Sequence, residues 1–512
     1  MPLPPPRRAD DPPPPAAGAI GRRRALARTV GWAALGAGSV LLGAGGCCRR
    51  VERGRTARRR AVLDGRAADQ RRGGPPAGAP GAPPLPRVEP LVAVRIGPLR
   101  AAPDAIRIEA SSGALRLRPG GELLRGSVEI RGDAQPGRGW TLAASRRAGR
   151  AIELELASAG RATGGGGPDG GPSLVCANGA DVVVDGTPYP GAIRLEVLGR
   201  DERDEGPPRL AVVNDLPLDR YLPGVLAGEL YHHWHPETFA AQAVAARSFA
   251  AAEAAWNRTS GGARRRPWDL VDTTRSQVYR GATVPPRAEE AARRTAGLVL
   301  AWEGRLVQGF YSACCGGAAA RASDVIGPHP ANAIPPLRGR TLEDPCCAGA
   351  PRYAWTIERP TRAAEASIRA WSRARRLVAY ADLEGLTAVR VIRRNEHGRA
   401  VEHLLEVDEA RSIPIDAEAL RAALATDAGP RERPHSGWIE SGTLPGGVGS
   451  GGGGGGGDIT ISGRGHGHGA GLCQFGAQSM ATRGMPLEDI LAAYYPGAEL
   501  ATAWRSAPAT QA

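Results

Sequence analysis

The chain has 512 residues, among them 71 glycines and 45 prolines, and aromatic residues make up only 4% of it. A chain of this length can bury a substantial core and usually holds more than one domain. Its net charge of +14 does not indicate nucleic-acid binding, because 17 arginines and only six acidic residues precede Pro90. The remainder is nearly balanced and has no basic stripe interleaved with aromatic residues.

Residues 1–48 have the layout of an export signal, in which a basic segment precedes an apolar run that ends in small residues. Arg23 and Arg24 fit a twin-arginine signal, and Cys47 fits a lipoprotein cleavage site. An uncleaved anchor is the alternative, although the run is shorter than the ~20 apolar residues of a typical spanning helix. We therefore expect an exported periplasmic or cell-envelope protein, with membrane attachment left open. Residues 49–88 are rich in Arg, Pro and Gly and are predicted to be a disordered spacer.

Short alternating segments such as VAVRI, SVEIRG and AIRLEVLG follow and are bounded by Gly or Pro. They predict antiparallel strands over residues 89–213. The fold class predicted is therefore α+β, with this β-rich part leading into a mixed α/β core that carries a helix ending in a glutamate. The further boundaries predicted are a core at 214–440, a glycine-rich loop at 441–457, a last block of the core at 458–500 and a tail at 501–512.

The stretch from Asn214 to Trp256 organises this core. Its first half predicts a short helix, with Asn214 and Asp215 as caps and Pro217 at an early position. An apolar stripe at helical spacing follows: Leu218, Leu222, Val225 and Leu226.

Glu229 is the next residue on that stripe, close to the C-terminal end of the helix. Partial burial and the helix dipole both disfavour a negative charge there, so both raise the pKa of its carboxyl, which suits a general acid. The alternative is a glutamate that turns out to solvent as the helix ends.

A second, alanine-rich helix begins near Pro236. Gln242 and Arg247 interrupt its alanine-rich surface. A role in solvating that surface is enough to explain them. Beyond it, the segment DTTRSQVYRG at 272–281 carries Gln277 and Tyr279, an amide and a ring of the kind that line sugar clefts. An ordinary loop anchored by a tyrosine is the alternative.

Two adjacent cysteine pairs, Cys314–Cys315 and Cys346–Cys347, suggest a local cross-link. Disulfides in an oxidising compartment, or inert thiols, are the first interpretation. Tetrahedral zinc ligation is the second.

The block GRGHGHGAGLCQFGAQSMATRG comes near the end of the chain. Its glycines let the backbone approach a ligand and leave the imidazole of His468 uncrowded, and Gln474 begins the helix that follows. The block lacks the lysine and the spacing of a phosphate loop. A metal-binding pair formed by His466 and His468 is the other alternative.

Together, LPLDRYLPGVLAGE, AAQAVAARSFA, DTTRSQVYRG and GHGAGLCQFGAQSMA resemble, in the same order, the motifs of the SpoIID/LytB family of stage II sporulation protein D and the amidase enhancers. Pro223 and the longer YHHWH linker depart from the pattern, Ser312 stands where the family's HSxCGG segment has His, and Cys473 replaces Ser.

The resemblance implies a peptidoglycan lytic transglycosylase that acts on glycan strands with Glu229 as its single acid/base. It implies equally a non-catalytic partner of a cell-wall amidase, or a glycan-binding wall protein. No cofactor is required, although some members bind zinc near the CGG segment. The candidate cleft residues are Gln242, Arg247, Gln277, Tyr279, His468 and Gln474.

Overall fold

The fold is α+β, as the sequence predicts, and antiparallel sheets surround a central group of helices. The computed structural model describes residues 81–100, 105–118, 121–124, 126–132, 140–145, 151–156, 172–198, 209–259, 266–341, 346–407, 411–443 and 457–505. All of these belong to one compact unit. The predicted export signal, most of the predicted spacer and residues 444–456 of the glycine-rich loop lie outside them. Within the described ranges, no helix combines the length and the apolar character needed to cross a bilayer.

Strands dominate the part of the chain before residue 218. They are β1 (Leu91–Arg100), β2 (Ala105–Ala110), β3 (Leu115–Arg118), β4 (Leu123–Leu124), β5 (Val128–Gly132), β6 (Trp140–Ser145), β7 (Ala151–Leu156), β8 (Ser173–Cys176), β9 (Val182–Val184), β10 (Thr187–Tyr189), β11 (Ala192–Leu198) and β12 (Arg209–Pro217).

The rest of the described chain mixes helices with short strands. The helices are α1 (Leu218–Glu229), α2 (Pro236–Thr259), α3 (Pro286–Arg294), α4 (Ala322–Val325), α5 (Thr361–Arg375), α6 (Ala417–Ala425), α7 (Gln474–Thr482) and α8 (Leu487–Tyr494). The strands are β13 (Leu270–Val271), β14 (Leu298–Trp302), β15 (Arg305–Leu306), β16 (Tyr311–Ser312), β17 (Ala318–Ala319), β18 (Arg340–Thr341), β19 (Ala354–Pro360), β20 (Ala388–Arg394), β21 (Ala400–Glu406), β22 (Ser412–Asp416), β23 (Ile439–Thr443), β24 (Asp458–Arg464), β25 (Leu472–Cys473) and β26 (Glu499–Thr502).

These strands form three larger sheets. The first has the order β13-β1-β12-β11-β8-β3-β4, the second β10-β9-β2-β5-β6-β7 and the third β19-β24-β23-β20-β21-β22. The third sheet packs with α5 and α6 around its own apolar core. The helix group lies instead between two other cores, one shared with the first two sheets and one shared with α7 and α8.

The boundary between β12 and α1 differs from the sequence prediction. Asn214 and Asp215 do not cap a helix, because both pair within β12, which lies between β1 and β11. Asn214 is fully buried, and its side chain donates to the Pro190 carbonyl at 2.8 Å and accepts from the Tyr279 hydroxyl at 2.9 Å. Helix α1 begins only at Leu218, with Pro217 in the N-cap position. Two neighbouring strands thus extend β12 past residues whose local preference is for a cap.

Helix α2 begins at Pro236, as predicted, and is the most buried helix of the described chain. Its alanines let α1, α3, α7, α8 and β14 pack closely around it. Residues in the middle of α2 that are not alanine, such as Gln242 and Arg247, are therefore buried as well.

Both ends of the described chain pack more tightly than the sequence suggests. Residues 81–88 fall in the predicted spacer, yet Ala82 is 3% exposed and its carbonyl accepts from Arg305 at 2.6 Å. Residues 501–505 fall in the predicted tail, yet the first two complete β26 beside β14. Trp504 is buried, and its ring N–H donates to Asp219 at 3.0 Å. A buried ring or backbone hydrogen bond orders each segment despite its composition.

Candidate active site

Glu229 is the last residue of α1, and the apolar stripe before it is fully buried. This burial fixes the direction in which the end of the helix points. Gly228 permits a close approach from the segment that contains Val278, because a β-carbon on Gly228 would lie 2.5 Å from the Val278 carbonyl oxygen. As a result, the Val278 N–H donates to Oε1 of Glu229 at 2.7 Å. Glu229 is half-buried and does not turn out to bulk solvent.

Burial sets the electrostatics of the Glu229 carboxyl. It raises the pKa of Glu229 above the ordinary value of 4.5, because the charged form loses its hydration. The hydrogen bonds from Val278 and Gln474 favour the charged form and offset part of this effect. The groups that contact the carboxyl are a backbone amide, a glutamine amide and a tyrosine hydroxyl, and none of them is a cation.

Gln474 comes to Glu229 from the other end of the chain. It is the first residue of α7, and its Nε2 lies 3.4 Å from Oε2 of Glu229. One turn later, Gln478 accepts from the His235 N–H at 2.9 Å and from the Thr238 hydroxyl at 2.8 Å. The C-terminal block is therefore held against both sides of the junction between α1 and α2.

Tyr311 is a site residue that the sequence did not single out. It lies on β16, which pairs in parallel with β25 and so sits next to Gln474. Its buried hydroxyl faces the Glu229 carboxyl and the Gln277 amide, yet has no hydrogen bond of ordinary geometry to either. The Tyr221 hydroxyl and the Gln277 amide oxygen are also buried without a partner among the described residues. Buried polar atoms are usually satisfied, so three unpartnered ones close to the Glu229 carboxyl make this cluster a candidate functional site.

His468 lies near this cluster but does not contact Glu229 directly. Its ring packs edge-on against Phe310, with centroids 6.0 Å apart, and its Nδ1 accepts from the Ala470 N–H at 3.0 Å. Burial lowers the pKa of His468 to about 4, so the imidazole is neutral at neutral pH. His466 faces His435 and has an Arg352 nitrogen 3.4 Å from its ring nitrogen. That guanidinium disfavours a metal shared by the two histidines of the GHGHG block.

Four other candidate residues, Gln242, Arg247, Gln277 and Tyr279, are buried within the fold. Arg247 is 0% exposed and donates to Asp219 at 2.7 Å, and Tyr279 is 4% exposed with its hydroxyl on Asn214. Gln242 is also 0% exposed, and neither of its amide atoms has a hydrogen-bond partner among the described residues. Gln277 donates to the Ala246 carbonyl at 3.2 Å, which leaves only its oxygen on the side of Tyr311.

The cysteines form a cluster beside this site. Sγ atoms of Cys314, Cys347 and Cys473 all lie within 4.8 Å of one another, and Sγ of Cys315 lies 3.6 Å from that of Cys347. All six described cysteines are free thiols. Cys346 is half-buried and is not part of the cluster, whereas Cys473, which the sequence did not join to the cysteine pairs, is.

Three of these thiols, those of Cys314, Cys347 and Cys473, are close enough to share one metal ion, and Cys315 lies beside Cys347 as a candidate fourth ligand. Zinc–sulfur bonds of ~2.3 Å place two ligand sulfurs about 3.8 Å apart, close to the separations in the cluster. Arg399 is buried next to it and donates to the Cys315 and Ala318 carbonyls at 2.8 and 2.9 Å. The thiols thus lie beside a buried cation, which suits a site with net negative charge.

Comparison with known proteins agrees with this geometry. The family model for SpoIID, the stage II sporulation protein, matches residues 208–302, which contain α1, α2 and the Gln277 segment. An uncharacterized protein of Brachyspira hyodysenteriae is 29% identical over 300 residues, a range that covers 57% of this chain and 68% of that protein. Residues 208–302 therefore carry a SpoIID domain, and this match supports a function related to the cell wall.

Proposed function

We propose that the protein is a lytic transglycosylase that cleaves peptidoglycan glycan strands and leaves 1,6-anhydro-muramoyl ends. The observation that carries the proposal is the Glu229 carboxyl, which has a raised pKa and no cationic partner among the groups that contact it. A protonated carboxyl of this kind can donate to a glycosidic oxygen.

One carboxyl is enough for this reaction. Glycoside hydrolases usually need two, one as acid and the other as nucleophile or as base for water. In the proposed reaction, Glu229 protonates the glycosidic oxygen as the bond from that oxygen to C1 breaks. The C6 hydroxyl oxygen of the same muramoyl residue then bonds to C1, and its proton returns to Glu229. No water enters the product, and the carboxyl ends in the state in which it began.

The neighbours of Glu229 have supporting roles in this proposal. Gln474 and the Val278 N–H orient the carboxyl, and Tyr311 lies close enough to assist it. None of them supplies a full charge, so the carboxyl keeps the raised pKa that an acid needs near neutral pH. Nδ1 of His468 accepts from the Ala470 N–H, so the neutral imidazole can donate a hydrogen bond from Nε2 without adding charge to the site.

Replacement of Glu229 by Gln tests the proposal. Purified Glu229→Gln and wild-type protein are incubated with peptide-free glycan strands, and anhydro ends are counted by mass spectrometry. We expect a loss of about 10²–10⁴-fold in rate, because general acid catalysis typically contributes that much. Glu289→Gln, at an exposed position of α3, is the matched control and keeps the wild-type rate.

Product release by Glu229→Gln at the wild-type rate would remove Glu229 from the mechanism. A wild-type protein that forms no anhydro ends, but accelerates a cell-wall amidase on peptide-bearing peptidoglycan, would instead be a non-catalytic enhancer. The amidase is thus a partner under that outcome only.

We also propose that Cys314, Cys315, Cys347 and Cys473 hold a structural zinc ion. It would supply no chemistry to the reaction. Because Gln474 follows Cys473 directly, its effect would be to fix the start of α7 against Glu229. The spacing of the four sulfurs and the neighbouring Arg399 support the assignment.

For the location of the protein, we propose export to the cell envelope, with attachment to the membrane through the N-terminal segment. The support is the charged and apolar pattern of residues 1–48. A glycan strand of the wall is a substrate that only an exported protein meets.

A further inference from the structure

The linker between α1 and α2 presents an exposed aromatic ring next to Glu229. Residues 231–234 form a turn, closed by a hydrogen bond of 3.0 Å from the Trp234 N–H to the Tyr231 carbonyl. Trp234 is 5% exposed, whereas Tyr231 is 44% exposed. In the part of the chain that the structure describes, Tyr231 is the one aromatic residue among the exposed large apolar side chains.

The Tyr231 ring packs against other aromatic rings. Its centroid lies 5.3 Å from that of Trp234 and 6.4 Å from that of Phe475, which meets it edge-on. Trp234 and Phe475 also pack edge-on with each other at 5.0 Å. The His233 ring lies 5.8 Å away as well. Aromatic contacts of this geometry restrict the Tyr231 ring, so its exposed part can bind a ligand without a large loss of side-chain entropy.

The backbone of the linker is fixed as well. Arg287 donates to the Trp234 carbonyl, and the His235 N–H donates to Gln478 at 2.9 Å. The linker is therefore clamped to α3 on one side and to α7 on the other. A surface loop without a binding role has no need of such clamps.

Two independent connections place the ring beside the acid. Tyr231 follows Glu229 by two residues, and Phe475, which touches the Tyr231 ring, follows Gln474, whose amide lies 3.4 Å from the Glu229 carboxyl. A ligand seated on Tyr231 is thus next to the group that would protonate it.

We propose that Tyr231 is a stacking surface for a sugar ring of the glycan strand, next to the bond that is cleaved. The apolar C–H face of a pyranose fits the face of an aromatic ring, and the exposed hydroxyl side of the tyrosine remains in water with the polar edges of the sugar. This inference rests on the proposed function for its substrate class. It adds a binding residue from a linker that departs from the family pattern.

A binding measurement tests the inference apart from the chemistry. The parent protein is Glu229→Gln, and the probe is a preparation of sonicated, peptide-free glycan strands whose binding is measured by calorimetry. We expect Tyr231→Ala to weaken binding about ten-fold, the free energy of burying much of one aromatic side chain. Tyr231→Phe and Tyr231→Trp keep the ring and should stay within about two-fold of the parent. Val378→Ala, at a residue 85% exposed in the region of the third sheet, is the control and leaves binding unchanged.

Binding by Tyr231→Ala that equals the parent would overturn the inference, even where Glu229→Gln has abolished product formation. The converse result, weakened binding together with a fully active Glu229→Gln variant, supports Tyr231 and overturns the acid. Absence of glycan binding by the parent itself would overturn both. Because the Tyr231 side chain is exposed, circular dichroism should show an unchanged fold in all four variants.

Discussion

Helix α1 carries a partly buried carboxyl at each end, and the two have opposite surroundings. Asp219, in the first turn, accepts from Arg247 at 2.7 Å and from the Trp504 ring N–H at 3.0 Å. Arg247 uses its remaining donors on Thr295 and on the Ala292 and Leu298 carbonyls. Glu229, the last residue of the helix, has one good hydrogen bond, from a backbone amide, and no cation among the described residues contacts it.

This difference separates a structural charge from a chemical one. A buried ion pair whose donors are all used resists replacement of either member and gains nothing from a ligand. A buried carboxyl without a cation has its pKa raised, and the unpartnered hydroxyls around it are ready to accept new hydrogen bonds. By this criterion Arg247 belongs to the fold, although its residue type made it a candidate for the cleft.

Arg399 is a third buried charge to compare with Asp219 and Glu229. It lies beside the cysteine cluster, where we expect a substitution to have the largest effect on folding stability. Its donors reach carbonyl groups, and it stacks on Trp438 at 4.6 Å, so its charge is balanced only at longer range, by the thiols of the cysteine cluster and by the Glu418 and Asp324 carboxylates. We expect the purified protein to contain a single bound zinc ion per chain. Cys473→Ser should lose it and lower the free energy of unfolding by about 5 kcal/mol or more.

Metal analysis and urea denaturation check this prediction. Cys346→Ser is the matched control, because Cys346 lies next to Cys347 in the chain but outside the cluster. It should keep both the zinc and the stability. Equal zinc content in wild type and Cys473→Ser would show that the four thiols are not the ligands.

The second prediction concerns the ion pair itself. Arg247→Met leaves Asp219 buried without its cation and should lower the free energy of unfolding by about 3–5 kcal/mol. Glu229→Gln removes no charge partner and should change it by less than about 1 kcal/mol. Urea denaturation of both variants at neutral pH measures the contrast. Equal destabilisation by the two substitutions would show that Asp219 and Glu229 do not differ in their contribution to folding stability.

Much of the fold could be predicted from local pattern. Alternating segments gave strands, and the alanine-rich run gave α2, because period and composition act within a few residues. The boundary at Asn214 could not be predicted, since the pairing of β12 with β1 and β11 depends on residues far away in the chain. Similarly, Trp504 is ordered by Asp219, a contact that no local pattern reveals.

The candidate site divides in the same way. Glu229 was accessible to sequence reasoning because it continues a stripe of apolar residues, and Gln474 because its motif is specific. The sequence could not show whether Arg247 lines a cleft or is buried in the fold. A helix made mostly of alanines has no polar face that would show which side is exposed to solvent. Tyr311 looks like an ordinary strand aromatic, and Cys473 is separated from the other cysteines by most of the third sheet. Only the pairing of β16 with β25 brings these two residues to the site.

The last prediction sharpens the comparison through pH and has the smallest effect on stability. Since the pKa of Glu229 is raised above 4.5, the wild-type fold loses stability as pH rises from that value through the raised pKa, where the folded state holds a proton that the unfolded state has released. Glu229→Gln lacks this dependence, so its stability relative to wild type should increase over the same interval.

The rate of anhydro-end formation at low substrate should fall through the same pKa, because the reaction begins with the protonated acid. No decline is expected on the acidic side while the fold is intact, as no second carboxyl is among the groups that contact Glu229. Initial rates and urea denaturation measured across one pH series test both parts, and a bell-shaped rate profile over the range in which the fold is intact would indicate a second catalytic carboxylate and a hydrolytic mechanism instead.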